Sequence, residues 1–269
     1  MTSLSVVIIT YNEEHNIAEC IRSAKLVSDD IVVVDCGSND ETVAIATRQG
    51  ARTFVTEWKG YGFSKNFGAS KVKFNWILSI DADERISEEL ATSIKKISYG
   101  DRNCIYKFKR KNHIGAREIQ FGTLGFEMVE RIYHRNYSKW DLSLVHEKLV
   151  GTQPIKQIIA GSLLHFGLKN FEHQEQKAIL YARLSAEKYY LNGNTTSYFQ
   201  RAASAIFNSI KSYFFLLGFI EGKQGLFVAR SIAYYSWLKY AYLYQLLKES
   251  AETNIRTTKQ TIAIKAVSN

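Results

Sequence analysis

The chain is poor in the residues that crosslink and punctuate. Its 269 residues include one proline and three cysteines. A proline-rich linker or a low-complexity tract is therefore excluded, and no internal repeat is apparent. Cys20, Cys36 and Cys104 are odd in number and widely spaced. They form neither a disulfide framework nor a zinc-ligand spacing, and a reducing, cytoplasmic setting is the simplest expectation. The start, Met1-Thr2-Ser3-Leu4-Ser5-Val6, has no basic region followed by an apolar core, so it is not a signal peptide. No G-x-G-x-x-G follows the first apolar run and no Walker A sequence occurs, so neither usual glycine-rich phosphate cradle is available. A transmembrane helix needs about 20 largely uncharged residues. The most apolar stretches here are interrupted by Lys211, Glu221, Arg230 and Lys239.

What is present is an apolar content of 46%, enough for a real core, and a net charge of +9. The charge is unevenly placed. Residues 1–168 carry 22 Lys/Arg against 20 Asp/Glu, residues 169–249 carry 10 against 5, and the rest carries 3 against 1. The excess lies in the C-terminal part, with about half of the aromatic residues. Such a segment suits a membrane surface or a nucleic acid.

Leu4 to Thr10 and Asp30 to Asp35 are β-branched and almost wholly apolar, as strands buried on both faces are. Helical periodicity lies between them, from His15 to Leu26, with Asn12 as a plausible N-cap. A Gly/Ser turn, a helix from Thr42 to Gln49 and a short strand at Arg52 to Thr56 follow. This β-α-β-α-β order predicts a parallel sheet with crossover helices. Ligands of open α/β sheets bind past the carboxyl ends of the strands. Thr10, Tyr11, Asn12 and Glu13 lie there on the first strand. On the second, Asp35 is placed to accept hydrogen bonds from ribose hydroxyls or a base N–H, beside Gly37 and Ser38.

The chain is organised around Trp76-Ile77-Leu78-Ser79-Ile80-Asp81-Ala82-Asp83-Glu84-Arg85, an apolar strand running straight into three carboxylates. Asp81 and Asp83 flank the small Ala82, so in extended chain they point the same way. Two like charges that close call for a cation between them. A hard divalent ion, Mg²⁺ or Mn²⁺, keeps several waters and binds substrate phosphates through one or two carboxylates. This predicts a metal–diphosphate site. The simpler reading is acidic residues favoured at the start of a helix.

Four stretches carry a family resemblance: Val6-Val7-Ile8-Ile9-Thr10-Tyr11-Asn12-Glu13, Ile31 to Thr42, Ser64-Lys65-Asn66-Phe67-Gly68-Ala69, and Asp81-Ala82-Asp83-Glu84. Together they resemble family 2 glycosyltransferases of the GT-A fold. Trp58-Lys59-Gly60-Tyr61-Gly62, Val145-His146-Glu147 and Leu164-His165-Phe166 are similar to bacterial lipopolysaccharide-core β-glucosyltransferases. The resemblance implies an α/β fold, a nucleotide-binding mixed sheet flanked by helices. It also implies a nucleotide-diphosphate-sugar donor, with a UDP-sugar favoured, and inverting transfer. It puts Asp35 on the nucleoside and Asp83 on the metal, with Asp81 near ribose or sugar and Lys65 near the donor phosphates or base. Cys36 stands where many members have Ser, Gly or Asn.

Inverting transfer needs a base for the acceptor hydroxyl. The resemblance makes Glu147 the candidate, with Asp141 as the fallback. The bland alternative is a surface Glu paired with Lys148 or a nearby Arg. His165 is expected to end the strand Ile158 to Leu164, where it hydrogen-bonds the diphosphate, ligates the metal or is merely structural. Cys104 to Lys111 alternates apolar and basic residues, a half-exposed strand whose cations are a solvated face or attract an anionic acceptor.

Helices are expected at Lys177–Leu191, Tyr198–Gly218 and Gly225–Glu249, with a polar end from 250. Aromatics mixed with Lys and Arg suit an interfacial segment that snorkels its charges, against the simpler reading of a helical layer packed on the catalytic domain. The sequence thus predicts a catalytic domain over residues 1–168 and a helical, membrane-facing extension over 169–249. The expected enzyme transfers a sugar to a lipid-linked or lipopolysaccharide-core glycan from the inner face of the cytoplasmic membrane. A sugar-nucleotide nucleotidyltransferase would want a basic glycine-rich loop where Thr10-Tyr11-Asn12-Glu13-Glu14 is acidic. A non-catalytic membrane-binding protein would have no need of Asp81, Asp83 and Glu147 together. Nucleic acid is disfavoured, because the basic residues are interleaved with apolar helix faces.

Overall fold

The structure, a computed structural model, describes the backbone of residues 3–143, 145–168 and 171–267, and the side chains of these except 168, 171–174 and 253–267. The first half alternates strand and helix: β1 (Leu4–Thr10), α1 (Ile17–Ala24), β2 (Asp30–Asp35), α2 (Thr42–Arg48), β3 (Arg52–Val55), α3 (Tyr61–Lys71) and β4 (Trp76–Asp81). Then come β5 (Glu84–Ile86), α4 (Glu88–Lys95), β6 (Cys104–Ile114), β7 (Arg117–Glu118), β8 (Glu127–His134), β9 (Ser138–Trp140), β10 (Leu149–Gly151) and β11 (Ile155–Leu168). The helical part is α5 (Phe171–Leu191), α6 (Tyr198–Ile210) and α7 (Lys223–Val267).

One sheet runs β3-β2-β1-β4-β8-β6-β11-β5, with β7 on β6, and β9 and β10 form a separate pair. β1 lies between β2 and β4, parallel to both. β8 is antiparallel to β4 and to β6, which makes the sheet mixed as expected. All seven residues of β1 are buried, because alternate side chains serve opposite faces. Leu4, Val6 and Ile8 join Ile17, Ile21, Leu90 and Ile94 on one face. Val7 and Ile9 join Val32, Val34, Ala69 and Tyr133 on the other. There α3 lies unusually close to the strands. A Cβ on Gly68 would fall 2.4 Å from a Val7 methyl, so only glycine permits this approach.

Strand β5 is antiparallel to β11 at the far edge, with Glu84 opposite His165. The turn Asp81-Ala82-Asp83 therefore crosses from the centre of the sheet to its edge. This crossing brings the acidic stretch and β11 together.

Several expectations are corrected. Asn12 does not cap α1. It adopts φ 53°, and its side-chain oxygen accepts from the Asn39 N–H at 3.0 Å. The helix begins at Ile17, four residues later than an Asn12 cap requires. Ser87 does cap α4, accepting from Leu90 N–H at 3.2 Å. His165 lies inside β11 rather than at its end. α6 stops at Ile210 and is followed by a π-helical turn at Lys211–Phe215 and a 3₁₀ turn at Gly218–Glu221. α7 continues through the segment expected to be a polar end.

α5 and α6 both pack on α7. The corner after α6 is fastened to the sheet by Glu221, which is 4% exposed. Its carboxylate accepts from the backbone N–H groups of Gln120 (2.7 Å) and Phe121 (3.1 Å) and from Arg117 (3.0 Å). Outward, Phe199, Ile206, Phe207, Ile210, Phe214 and Phe215 are exposed. No helix among the described residues is long and apolar enough to cross a membrane.

Candidate active site

The ends of β1 and β2 are laced together by their loops. Asn12 N–H donates to Ser38 Oγ at 2.8 Å, Glu13 N–H to Thr42 Oγ1 at 2.8 Å, and Glu14 N–H to Asp40 at 3.2 Å. Asp35 is almost fully buried and accepts from its own turn: Gly37 N–H at 2.9 Å, Ser38 N–H at 2.8 Å and the Ser38 hydroxyl at 2.5 Å. Gly37, at φ 93°, gives that turn a shape other residues rarely adopt. Tyr11 is 58% exposed at the same edge. The Thr10 hydroxyl is buried with no hydrogen-bond partner among the described residues. Cys36 packs its sulfur 3.3 Å from Ser64 Oγ.

The acidic turn divides its carboxylates. Asp81 faces Lys65 Nζ at 3.4 Å and the Arg131 guanidinium at 3.1 Å. Burial works against its ionisation, but these two cations overcome that and bring its pKa to about 2. Asp83 turns the other way, 3.4 Å from His165 Nε2 and 3.6 Å from Lys177 Nζ. Burial opposes its charge too, yet His165, with Lys177 and Arg110 beyond, holds it well below the usual carboxylate range. The paired-carboxylate picture is thus narrowed. Asp81 is held by Lys65 and Arg131 on one side of the turn, and Asp83 by His165 and Lys177 on the other. Ala82 between them is buried.

The identity of the groups around His165 fixes its tautomer. The Asn112 amide nitrogen donates to Leu124 O at 2.7 Å and to Glu127 at 3.0 Å, both pure acceptors. The amide oxygen must then face His165 Nδ1, 2.6 Å away. Nδ1 therefore carries a proton, and Nε2 is the ring nitrogen turned toward Asp83. Between Nε2 and the carboxylate there is a place for a proton, which makes the ring a cation that lowers Asp83, or for a metal ion that takes the proton's place. Gly167 keeps the space open, since a Cβ there would lie 2.5 Å from His165 Nε2 and 2.6 Å from Asp83 Oδ2. One carboxylate oxygen and one imidazole nitrogen form a donor set that fits a divalent ion completing its shell with water and phosphate oxygens. The imidazole favours Mn²⁺ over Mg²⁺. Among the described residues no group of three or more such ligands occurs.

Glu147 does not pair with Lys148. Its Oε1 accepts from Lys65 Nζ at 2.5 Å. Lys65 is 1% exposed and also sits 4.5 Å over the Trp140 ring, so it joins Asp81 to Glu147 instead of pointing into solvent. Asn66 holds this wall by exchanging two hydrogen bonds with the Trp140 backbone, at 2.8 and 3.0 Å. Asp141, the fallback base, accepts from Ser143 N–H at 3.1 Å through one of its oxygens.

Behind these groups runs a network with few signs in the sequence. Arg131 meets Glu84 at 2.8 Å, and Arg110 meets Glu84 at 3.2 Å and Glu127 at 2.6 Å. Burial works against the Arg131 charge, but Glu84 and Asp81 raise its pKa further than burial lowers it. A chain of contacts thus leads from Glu147 through Lys65, Asp81, Arg131, Glu84, Arg110, Glu127, Asn112 and His165 to Asp83. Strand alternation carries the signal that would have found two of its members. Arg110 and Asn112 share a β6 face with buried Tyr106 and Phe108, whereas Lys109 is exposed. Lys177, from α5, has no comparable signal. Tyr61 stacks on Tyr181 at 5.8 Å and closes the site from the helical side, and burial raises its pKa to about 12.

Residues 5–146 match the family described as glycosyl transferase family 2. The chain is 28% identical over 270 residues to the lipopolysaccharide core biosynthesis glycosyltransferase LpsC of Rhizobium meliloti, covering 94% of this chain and 96% of that protein. It is 29% identical over 261 residues to the uncharacterized glycosyltransferase RT0209 of Rickettsia typhi, covering 93% and 89%. Among solved structures, the glucosyl-3-phosphoglycerate synthase of Mycobacterium tuberculosis, in complex with Mn²⁺, uridine diphosphate and glucosyl-3-phosphoglycerate, superposes with a TM-score of 0.47. It is 17% identical over 72% of this chain and 81% of that one.

Proposed function

The chain belongs to glycosyl transferase family 2, and on that premise we propose that it is an inverting, metal-assisted hexosyltransferase. Its donor is a nucleotide-diphosphate sugar, with a UDP-sugar favoured, and its acceptor is a hydroxyl of a lipid-linked or lipopolysaccharide-core glycan. The observation that carries this reading is the pairing of Asp83 with a His165 whose Nδ1 is held by Asn112 and whose Nε2 is turned toward the carboxylate. A divalent cation held by Asp83 and His165, Mn²⁺ or Mg²⁺, would neutralise the leaving diphosphate.

The chain's own groups supply the rest. The laced edge of Thr10, Tyr11, Asn12, Glu13, Asp35, Gly37 and Ser38 receives the nucleoside. Asp35 keeps its buried carboxylate in place through its turn and offers its remaining lone pairs to ribose or base. Lys177 stands beside Asp83, where an ammonium can meet a phosphate oxygen. Lys65 holds Asp81 toward ribose or sugar and orients Glu147. Glu147 Oε1 is taken by Lys65, which leaves Oε2 to accept the proton of the attacking hydroxyl. The base and the metal ligand are different groups of one charge network, Glu147 held by Lys65 and Asp83 by His165 and Lys177. The loss of the acceptor proton and the departure of the diphosphate then take place at separate groups.

We further read residues 1–168 as the catalytic domain and the helices after it as a layer that rests on the inner face of the cytoplasmic membrane, within reach of a lipid-linked acceptor. Between Lys188 and Lys248 the only carboxylate is Glu221, which is buried. The outer face there is aromatic, aliphatic and basic, a composition suited to anionic headgroups. The family match favours sugar transfer over nucleotide transfer.

The test is a panel of nucleotide sugars with and without Mn²⁺ or Mg²⁺, comparing wild type with Asp83→Ala. One donor should bind and release diphosphate slowly in a metal-dependent way, and the variant should lose both. No donor bound under any metal condition would sink the reading.

A further inference from the structure

The loop that carries Glu147 is covered on its outer side by α5 and α7, and the groups at that junction serve no step described so far. Lys188 donates to the Val145 carbonyl at 3.1 Å, which leaves further N–H donors of its ammonium free of that bond. Lys239 lies 4.6 Å from the Tyr189 ring centre and 4.5 Å from that of Tyr240, with the Tyr189 hydroxyl at 3.4 Å. Between them, the Tyr235 hydroxyl is 2.8 Å from Ser185 Oγ and 3.4 Å from His146 Nε2. Among the described residues, neither lysine has a carboxylate within 4.0 Å, whereas Lys65 and Lys177 in the catalytic network both do. The adjacent carboxylate, Glu147, is already held by Lys65. Both lysines are half-buried, and both act on His146, whose imidazole is lowered by desolvation and by their charges against the opposing charge of Glu147.

In the fold these two half-buried cations are served by aromatic rings and a backbone carbonyl, and the anion nearest the cluster, Glu147, is shared with Lys65. An anionic group bound between them would gain the ion pair that each lacks. Aromatic rings and neutral hydroxyls around the charges supply what a sugar ring needs, a flat apolar face and hydrogen-bond partners. The whole cluster abuts the residue that receives the acceptor's proton.

We propose that His146, Lys188, Tyr235 and Lys239 form an acceptor subsite that takes a sugar carrying a phosphate or a carboxylate group. The anionic substituent lies between the lysines and presents a neighbouring hydroxyl to Glu147. This rests on the reading of Glu147 as the acceptor-side base. It narrows the acceptor from any glycan hydroxyl to that of an acidic glycan.

The experiment measures binding without turnover, on the full chain. Wild type, Lys188→Gln, Lys239→Gln and Lys239→Arg are titrated calorimetrically with glucose 6-phosphate, glucuronate and glucose, at low and high salt. At least one of the two acidic sugars should bind with a salt-dependent affinity, and glucose should not. The stronger of the two names the anion. Each Lys→Gln change should weaken that binding about tenfold, the scale of one charge-assisted hydrogen bond, and Lys239→Arg should retain most of it. Lys239→Gln is the cleaner variant, because Lys239 holds no backbone group of the Glu147 loop. The proposal is overturned if glucose binds as well as the acids, if neither acid binds, or if both glutamine variants bind like wild type. Donor binding with Mn²⁺ is measured in the same preparation. Donor bound with a flat acid titration would remove the subsite alone. Acid bound through the lysines without any donor would keep the subsite and remove the transferase reading.

Discussion

The two sides of the candidate site hold their charges by different means. At the ends of β1 and β2, carboxylates and hydroxyls serve backbone N–H groups of neighbouring loops, as Asp40 does for Glu14 and Ser38 for Asn12. Around Glu147 and Asp83, ions are held by ions, as Lys65 is by Asp81 and Glu147. The first kind of site is shaped by short turns and needs no remote partner. The second exists only once distant strands have met, and removing one member strands another in a poorly solvated place. The nucleotide edge should therefore tolerate single changes, and the reactive side should not.

That contrast can be broken in several places. Asp83→Ala should have the largest effect, a loss of about 10³-fold or more in transfer together with metal-dependent donor binding. Glu147→Gln should lower kcat by roughly 10²–10⁴-fold while changing donor affinity far less, measured as kcat against donor Kd. If donor affinity falls in parallel, the two sides are not separable. Asn112→Ala tests whether a group one step behind His165 matters. Mn²⁺ affinity, read by electron paramagnetic resonance of the free ion, should fall about 10–100-fold. Asn112 touches neither donor nor acceptor, so an unchanged affinity would remove the tautomer argument.

Glu221→Ala should cost about 2–4 kcal/mol in thermal or denaturant unfolding, because two backbone N–H groups and Arg117 lose their acceptor. Glu221→Gln keeps an oxygen and should cost less. The smallest effect is on acid stability. The Asp81 carboxyl is depressed from 3.8 to about 2 in the fold. Its contribution is fully present above about pH 4 and is lost as pH falls toward 2. Arg131→Gln, which removes one of its cations, should shift acid unfolding to higher pH, as followed by circular dichroism.

How much of this was legible in the sequence follows the same division. The parallel strands, the turn after Asp35 and the acidic stretch announce themselves locally, through apolar runs that stop at Gly, Ser and Asp. Asn12 was misread because its side chain bonds across to Asn39 and not along its own chain. Glu147 could be named only through a family motif, because its partner Lys65 lies 82 residues earlier. Arg131 carries no local signal, because it meets Asp81 and Glu84 only where β8 lies between β4 and β6. The end of α6 at Ile210 was hidden because the apolar pattern continues through the π-helical turn that follows.

The burial of Glu221 has a last consequence. It takes the one acid between Lys188 and Lys248 out of the outer face and leaves that face purely basic among its charges. Residues 1–168 are close to neutral, with 22 basic against 20 acidic residues, so the chain is electrically lopsided. Near any anionic surface it experiences a torque as well as a pull. The field at physiological salt reaches about 8 Å, so the turning occurs before Phe214 or Phe215 touches anything. On the proposed membrane-facing reading, orientation would be decided in the ionic layer, and the aromatic side chains would only hold an attitude already chosen.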